Sequence, residues 1–161
     1  MKAIFLTILF AIATTGFAQR AGQNQPTQLD DLIRGELSAV KSYDYALSKV
    51  KDEKEKKQLK AIRDNHQNAV KTLRQYATKE VKEESKDSGA WGTFAKSWTG
   101  GGSLFGDKTA MRALKQGEEH GVREYEEALE DGSIQPELKQ KIRAELLPKQ
   151  KEHINTINSI L

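Results

Sequence analysis

The sequence predicts an all-α protein, an antiparallel four-helix bundle with one long crossover. Four stretches of the 161-residue chain repeat apolar residues at helical spacing, whereas the alternation typical of strands is nearly absent. Two connections between these stretches are short, which makes the helices they join antiparallel. The third connection, residues 85–106, is long enough for the third helix to run parallel to the second.

The first 28 residues precede the predicted bundle. A basic start, an apolar run over 3–14, and Gly16 and Ala18 at the −3 and −1 positions predict a signal peptide, residues 1–18, cleaved before Gln19. An uncleaved anchor is the alternative, but the run is shorter than the ~20 apolar residues of a membrane-spanning helix. Residues 19–28 then form a flexible leader and residues 29–161 the bundle. The expected location is periplasmic or secreted.

The first two helices are predicted from their apolar stripes and from one cap. Helix 1 runs from Thr27 or Gln28 to Val50. Helix 2 begins after Asp52, a good N-cap, and fades over 80–84. Its charged opening is typical of a solvated helix surface. The two stripes are Leu29, Ile33, Glu36, Val40, Tyr43 and Leu47, then Leu59, Ile62, His66, Val70, Leu73 and Tyr76.

The crossover carries both tryptophans of the chain. Trp91, Phe94 and Trp98 lie at the spacing of a short amphipathic helix that begins at about Ser88. Gly100–Gly102 follow, and a regular element disfavours such a run. We expect the segment Trp91–Trp98 to cover one end of the core. A ligand-gating lid and a membrane-touching patch are the alternatives.

The last two helices are joined by a short turn. Helix 3 begins at Asp107 as N-cap and ends before Gly132, which is predicted to take the left-handed C′ conformation. Helix 4 begins at Pro136, continues to about Ile160 and bends at Pro148. The stripe of helix 3 is Met111, Leu114, Glu118, Val122, Tyr125 and Leu129. That of helix 4 is Leu138, Ile142, Leu146, then Lys149 or Gln150, then His153, Ile157 and Ile160.

Each stripe contains one glutamate or histidine: Glu36, His66, Glu118 and His153. A charge that faces a core costs several kcal/mol unless it is paired, protonated or bound to a metal. Glu36 and His66 lie at nearly equal distances from the first turn, so we expect them at one level. Glu118 and His153 are offset by roughly 7 Å at 1.5 Å per residue.

Two carboxylates and two imidazoles are ligands that iron, manganese or zinc use, so all four residues are candidate metal ligands. A complete di-metal site of a ferritin-like bundle needs a Glu three residues before each His. Arg63 and Gln150 occupy those positions instead. The alternative is a metal-free Glu–His–Arg network in which Tyr43 or Tyr125 donates.

Composition excludes several other functions. Acidic and basic residues are interleaved at a net charge of +3, which argues against a nucleic-acid surface. The chain has no cysteine, so it has neither disulfides nor thiolate metal sites. No nucleophile–base motif or phosphate-binding loop is present. Glu119 and His120 form an alternative polar pair of the kind found on helix surfaces.

The motifs DSGAWGTFAKSW at 87–98, TGGG at 99–102 and GEEHGVREYEEALED at 117–131 resemble the domain-of-unknown-function 2383 family. The resemblance extends over residues 29–160. It implies a ferritin-like four-helix bundle and no established activity. Glu118 matches the Gly-Glu position of that family, and His153 matches a histidine often found in its last helix.

Two functions are therefore carried forward. The first is a non-enzymatic structural, stress-related or interaction module, with a protein partner or a second copy of the chain and without membrane contact. The second is an iron- or manganese-binding ferritin-like protein with a degenerate di-metal site at Glu36, His66, Glu118 and His153. Membrane or cell-wall binding through the two tryptophans is a third.

Overall fold

The computed structural model describes residues 27–78 and 107–161. These residues form four helices and no strand, which confirms the all-α prediction. The helices are α1, Gln28–Leu47; α2, Glu53–Tyr76; α3, Asp107–Glu130; and α4, residues 136–160. No helix in the described ranges has the length and apolar character needed to cross a membrane. The predicted signal peptide, the leader up to residue 26, and the crossover with its Trp91–Trp98 segment lie outside the described residues.

Side-chain caps begin the first two helices. The Thr27 hydroxyl accepts the backbone N–H of Asp30 at 3.1 Å, and the Asp52 carboxylate accepts that of Glu55 at 2.9 Å. Each bond satisfies one of the donors that a helix leaves free in its first turn. The predicted cap at Asp52 is confirmed.

Both of these helices end earlier than their stripes predict. α1 stops at Leu47 rather than Val50, and α2 stops at Tyr76 rather than within 80–84. Burial of a small apolar residue just beyond each helix accounts for the difference. Val50 and Ala77 are each 8% exposed, and Ala77 has extended backbone angles. At each end, packing of a core residue outweighs continuation of the helix.

The turn between α3 and α4 corrects one expectation. Gly132 does not take a positive φ, so the prediction of a left-handed C′ residue is wrong. Asp131 shapes the turn instead. Its carboxylate accepts the N–H of Ser133 at 2.7 Å, and its carbonyl accepts that of Ile134 at 3.3 Å. An Asp side chain bonded to the backbone two residues on is a common way to close a turn.

Helix α4 changes its winding just before Pro148. It consists of Pro136–Lys141, a π-helical segment Ile142–Leu146, and Leu147–Ile160. A proline within a regular helix lacks a donor and clashes with the carbonyl four residues earlier. The disturbance expected at Pro148 therefore takes the form of a wider turn, in which the Leu147 N–H bonds the Ile142 carbonyl five residues back.

Two apolar clusters fill the core and flank a polar layer. The first cluster is Leu32, Ile33, Leu73, Ala77, Tyr125, Ala128, Ile134, Leu138 and Ile142. The second is Tyr43, Ala46, Val50, Leu59, Ile62, Met111, Leu114 and Ile157. Along each helix, one of Glu36, His66, Glu118 and His153 falls between a member of one cluster and a member of the other. The fold therefore brings all four to one level.

Candidate metal centre

The polar layer contains the four residues that the sequence singles out. Glu36, His66, Glu118 and His153 are 6%, 1%, 2% and 3% exposed, one from each helix. Hydrogen bonds connect them in one network. Isolated charges at this depth cost several kcal/mol each, so these contacts are a condition of the fold.

The His66 ring lies between two carboxylates. Its Nδ1 is 2.7 Å from Glu36 Oε2, and its Nε2 is 3.0 Å from Glu118 Oε1. Both nitrogens donate, so the ring is an imidazolium. Burial alone lowers the pKa of His66, but the charges of Glu118 and Glu36 and their hydrogen bonds raise it to about 10. Burial likewise raises the pKa of Glu118, but His66 and the hydrogen bond from His153 lower it to about 2.

The His153 ring has a different pair of partners. Its Nδ1 is 3.1 Å from Glu118 Oε2, and its Nε2 is 3.1 Å from the Asn65 amide nitrogen. An amide nitrogen only donates, so Nε2 accepts. His153 therefore carries its proton on Nδ1, from which it donates to Glu118. This neutral tautomer satisfies both ring nitrogens.

The contact between Glu118 and His153 closes the axial offset expected from their positions. Side chains on a helix lean toward its N-terminus. Glu118 therefore leans away from the α3–α4 turn, and His153 leans back toward that turn. The two side chains approach each other although their backbones are offset. A count of residues along the helix axis alone therefore overestimates the distance between these two side chains.

Two tyrosines donate further hydrogen bonds to the carboxylates. Tyr43 donates to Glu118 Oε1 at 2.5 Å, and Tyr125 donates to Glu36 Oε1 at 2.6 Å. Burial and the adjacent carboxylates raise the pKa of both phenols well above the usual value, so both remain protonated donors. The expected tyrosine donation is confirmed.

Arginine does not enter the network. Arg63 pairs with Asp44 at 3.3 Å and Asp64 at 3.0 Å, so the expected Glu–His–Arg arrangement is wrong about Arg63. Its position on α2 directs the guanidinium to acidic groups outside the core. Glu119 and His120 are partly exposed and lie outside the network as well.

Three residues of the layer present a possible set of metal ligands. His66, Glu118 and His153 each offer one ligand atom, and these atoms lie within 4.8 Å of one another. His66 Nε2 lies 3.0 Å from Glu118 Oε1 and His153 Nδ1 lies 3.1 Å from Glu118 Oε2, so the two imidazoles approach different oxygens of one carboxylate. Two imidazoles and one carboxylate are ligands that iron, manganese or zinc can use. Glu36 lies outside this group and contacts the other nitrogen of His66.

A family model described as "Domain of unknown function (DUF2383)" matches residues 25–131. The chain belongs to this family. The match confirms the resemblance read from the motifs, and it includes Glu36, His66 and Glu118. Helix α4, which carries His153, follows the matched range. Comparison with curated proteins and with solved structures gives no significant match.

Sequence reasoning missed one polar residue of this DUF2383 site, Asn65, and the role of a second, Gln150. Asn65 immediately precedes His66 and bonds His153. Gln150 is buried and donates from Nε2 to the Glu118 carbonyl at 3.4 Å. A Cβ on Gly121 would lie 2.4 Å from the Gln150 amide nitrogen, so a larger residue there requires the Gln150 side chain to move. Asn65 flanks its apolar stripe rather than interrupting it. Gln150 lies on the predicted stripe of helix 4, where the sequence indicates only that it replaces a metal-ligating Glu.

An internal repeat is the signal that identifies both tyrosines as partners of the carboxylates. In this DUF2383 chain the repeated pattern is Gly-Glu, a Tyr seven residues after the Glu, and Ala-Leu three residues further on. It occurs on α1 and recurs 82 positions later on α3. The matching residues are Gly35, Glu36, Tyr43, Ala46 and Leu47, with Gly117, Glu118, Tyr125, Ala128 and Leu129.

Proposed function

We propose that this protein binds one divalent transition-metal ion, iron or manganese, in the core of a helical bundle. His66, Glu118 and His153 are the proposed ligands. The observation that carries the proposal is the burial of this group in one network, with each residue offering a ligand atom within 4.8 Å of the others. A ferritin-like antiparallel bundle with a crossover, in an exported protein, is part of the same proposal.

The hydrogen-bond partners of both histidines support it. Histidines that bind metals commonly bond a carboxylate or amide through the second ring nitrogen, which fixes the ring orientation. Glu36 is placed to do this for His66, since it contacts Nδ1 at 2.7 Å. Asn65 contacts His153 Nε2 at 3.1 Å and would do it for His153 after its amide turns, so that its oxygen accepts the proton that a metal-bound ring carries on Nε2. We therefore assign Glu36 the role of positioning His66 rather than that of a ligand.

A metal would replace protons that now hold the layer together. The His66 imidazolium donates to Glu118, and a metal ion on the same nitrogen requires the neutral ring. Once His66 is neutral, Glu118 loses its cationic partner. A divalent ion supplies the missing positive charge.

The second candidate is a non-enzymatic structural or interaction module. The layer is internally paired without a metal: an imidazolium lies between two carboxylates, and two tyrosines complete the bonds. Such a network fixes the relative positions of the helices. Its partner would be another protein or a second copy of the chain.

Metal content separates the two candidates. The untagged protein is loaded anaerobically with Fe(II) or Mn(II), passed over a desalting column and assayed by elemental analysis. We expect about one equivalent of metal. Glu118→Gln should abolish retention, whereas Glu36→Gln should retain metal with about 10- to 100-fold lower affinity.

The matched control is Glu119→Gln, which changes the adjacent, partly exposed carboxylate. It should leave metal content unchanged. A well-folded wild-type protein that retains no metal would support the structural module and exclude the metal site.

A further inference from the structure

A cavity of about 60 Å³ lies beside the polar layer, between α1 and α3. Small residues form much of its wall, among them Gly35, Ala39 and Gly117, which are partly exposed. His66 and Glu118 line it as well and are buried. The cavity therefore leads from the partly exposed faces of two helices to two of the three proposed ligands.

Two glycines keep this space open. Glycine within a helix is less favourable than alanine by about 0.8–1.0 kcal/mol, so each position calls for a reason. A Cβ at Gly35 or at Gly117 would meet no neighbouring atom within 4 Å. Close packing therefore does not require glycine at either position, whereas a Cβ at Gly121 would lie 2.4 Å from the Gln150 amide nitrogen.

The position of the two glycines links the cavity to the site. Each immediately precedes a carboxylate of the polar layer, Glu36 or Glu118, and the Gly-Glu pair is part of the internal repeat. Both glycines line the cavity, and a Cβ added at either would occupy open space. Glycine there leaves free space next to His66.

We propose that this cavity admits a small uncharged ligand, of two or three heavy atoms, to the open side of the metal. This inference rests on the proposed metal site. A set of two imidazoles and one carboxylate leaves coordination positions free. The volume is well below the 150 Å³ of a cavity that accepts benzene, which limits the ligand to a few atoms. A divalent ion balances the charges of the Glu36 and Glu118 carboxylates, so an uncharged ligand keeps the layer neutral.

Nitric oxide is the probe, because it is small, uncharged and reports its binding to Fe(II) by electron paramagnetic resonance. The full-length protein is loaded with Fe(II) and titrated anaerobically, in parallel with the double variant Gly35→Ala/Gly117→Ala. The added methyl groups should fill part of the cavity and weaken nitric oxide binding by about tenfold, a typical cost of overpacking. Iron content should be unchanged, and the thermal midpoint should not fall, because alanine favours a helix.

Gly132→Ala is the matched control. Its Cβ also meets no atom within 4 Å, but the residue lies in the α3–α4 turn, away from the cavity, so its nitric oxide affinity should equal that of wild type. Equal affinity in the double variant at full iron content would overturn the inference. Slower iron loading with unchanged nitric oxide affinity would also overturn it, and would make the cavity a route for metal uptake. A wild-type protein that binds no iron would refute the proposed function itself, and this inference with it.

Discussion

The two halves of the bundle, α1–α2 and α3–α4, contribute the same residue types to the polar layer in nearly the same arrangement. In each half, the histidine Nδ1 contacts Oε2 of the glutamate from its own half. Each tyrosine donates to Oε1 of the glutamate from the other half. The contributions are Glu36, Tyr43 and His66 from the first half, and Glu118, Tyr125 and His153 from the second.

The halves differ at the second nitrogen of each histidine. His66 Nε2 reaches across to Glu118, whereas His153 Nε2 is taken by Asn65. The residue that corresponds to Asn65 in the second half is Glu152, which is exposed and pairs with Lys149. Asn65 is therefore the residue that makes the two halves differ. It confines the positive charge to His66 and leaves His153 neutral.

Because of this difference, replacement of His66 should lower the unfolding free energy more than replacement of His153. In the metal-free protein, His66→Ala leaves Glu36 and Glu118 buried without their cation and should cost about 3–5 kcal/mol of unfolding free energy. His153→Ala should cost about 1–3 kcal/mol, because Glu118 keeps two other donors. Urea unfolding at pH 6 measures both. Equal losses would refute the assignment of the charge to His66.

Loss of the tyrosine hydroxyls compares the two carboxylates. Glu36 accepts one bond from Tyr125 and one from His66, whereas Glu118 accepts bonds from Tyr43 and both histidines. Tyr125→Phe should therefore destabilise the protein more than Tyr43→Phe, within the range of about 1.5–3 kcal/mol for bonds to charged groups. Thermal unfolding of the two variants gives the order. A greater loss in Tyr43→Phe would contradict the donor count.

Stability should be lost at high pH through a residue of the first half, His66, and at low pH through a residue of the second half, Glu118. The pKa of His66 is raised from 6.5 to about 10, so its contribution is full below pH 6.5 and is lost as pH rises through 10. The pKa of Glu118 is lowered from 4.5 to about 2, so its contribution is full above pH 4.5 and is lost as pH falls through 2. Urea midpoints of the metal-free protein should be highest between pH 4.5 and 6.5. A midpoint that stays constant from pH 6.5 to 10 would exclude a buried imidazolium.

Metal binding should release protons from the first half alone. His66 must lose one proton to bind a metal. His153 instead moves its proton from Nδ1 to Nε2, and the Asn65 amide turns so that its oxygen accepts that proton. Calorimetric titration with Mn(II) at pH 7, in buffers of different ionisation enthalpy, should give a slope of about one proton per metal. About two protons per metal would place a second imidazolium in the layer, at His153.

The sequence was sufficient to predict the all-α class and the four polar positions. Periodicity reveals which residue interrupts an apolar stripe, and equal spacing from a turn places Glu36 opposite His66. Neither signal reveals the direction in which a side chain leans along its helix. The distance between Glu118 and His153 was therefore overestimated. Asn65 was invisible because it lies beside its stripe, and the direction of Arg63 depends on acidic partners that become neighbours only in the fold.

A crystal structure of the protein grown with Mn(II), with anomalous data near the manganese edge, tests the central claim most directly. We predict one anomalous peak in the polar layer, with His66, Glu118 and His153 each providing an atom at about 2.0–2.2 Å. Glu36 should remain hydrogen-bonded to His66 Nδ1. A layer that keeps its present hydrogen bonds and shows no peak at saturating Mn(II) would contradict the metal site, and would leave the buried charges as a structural network.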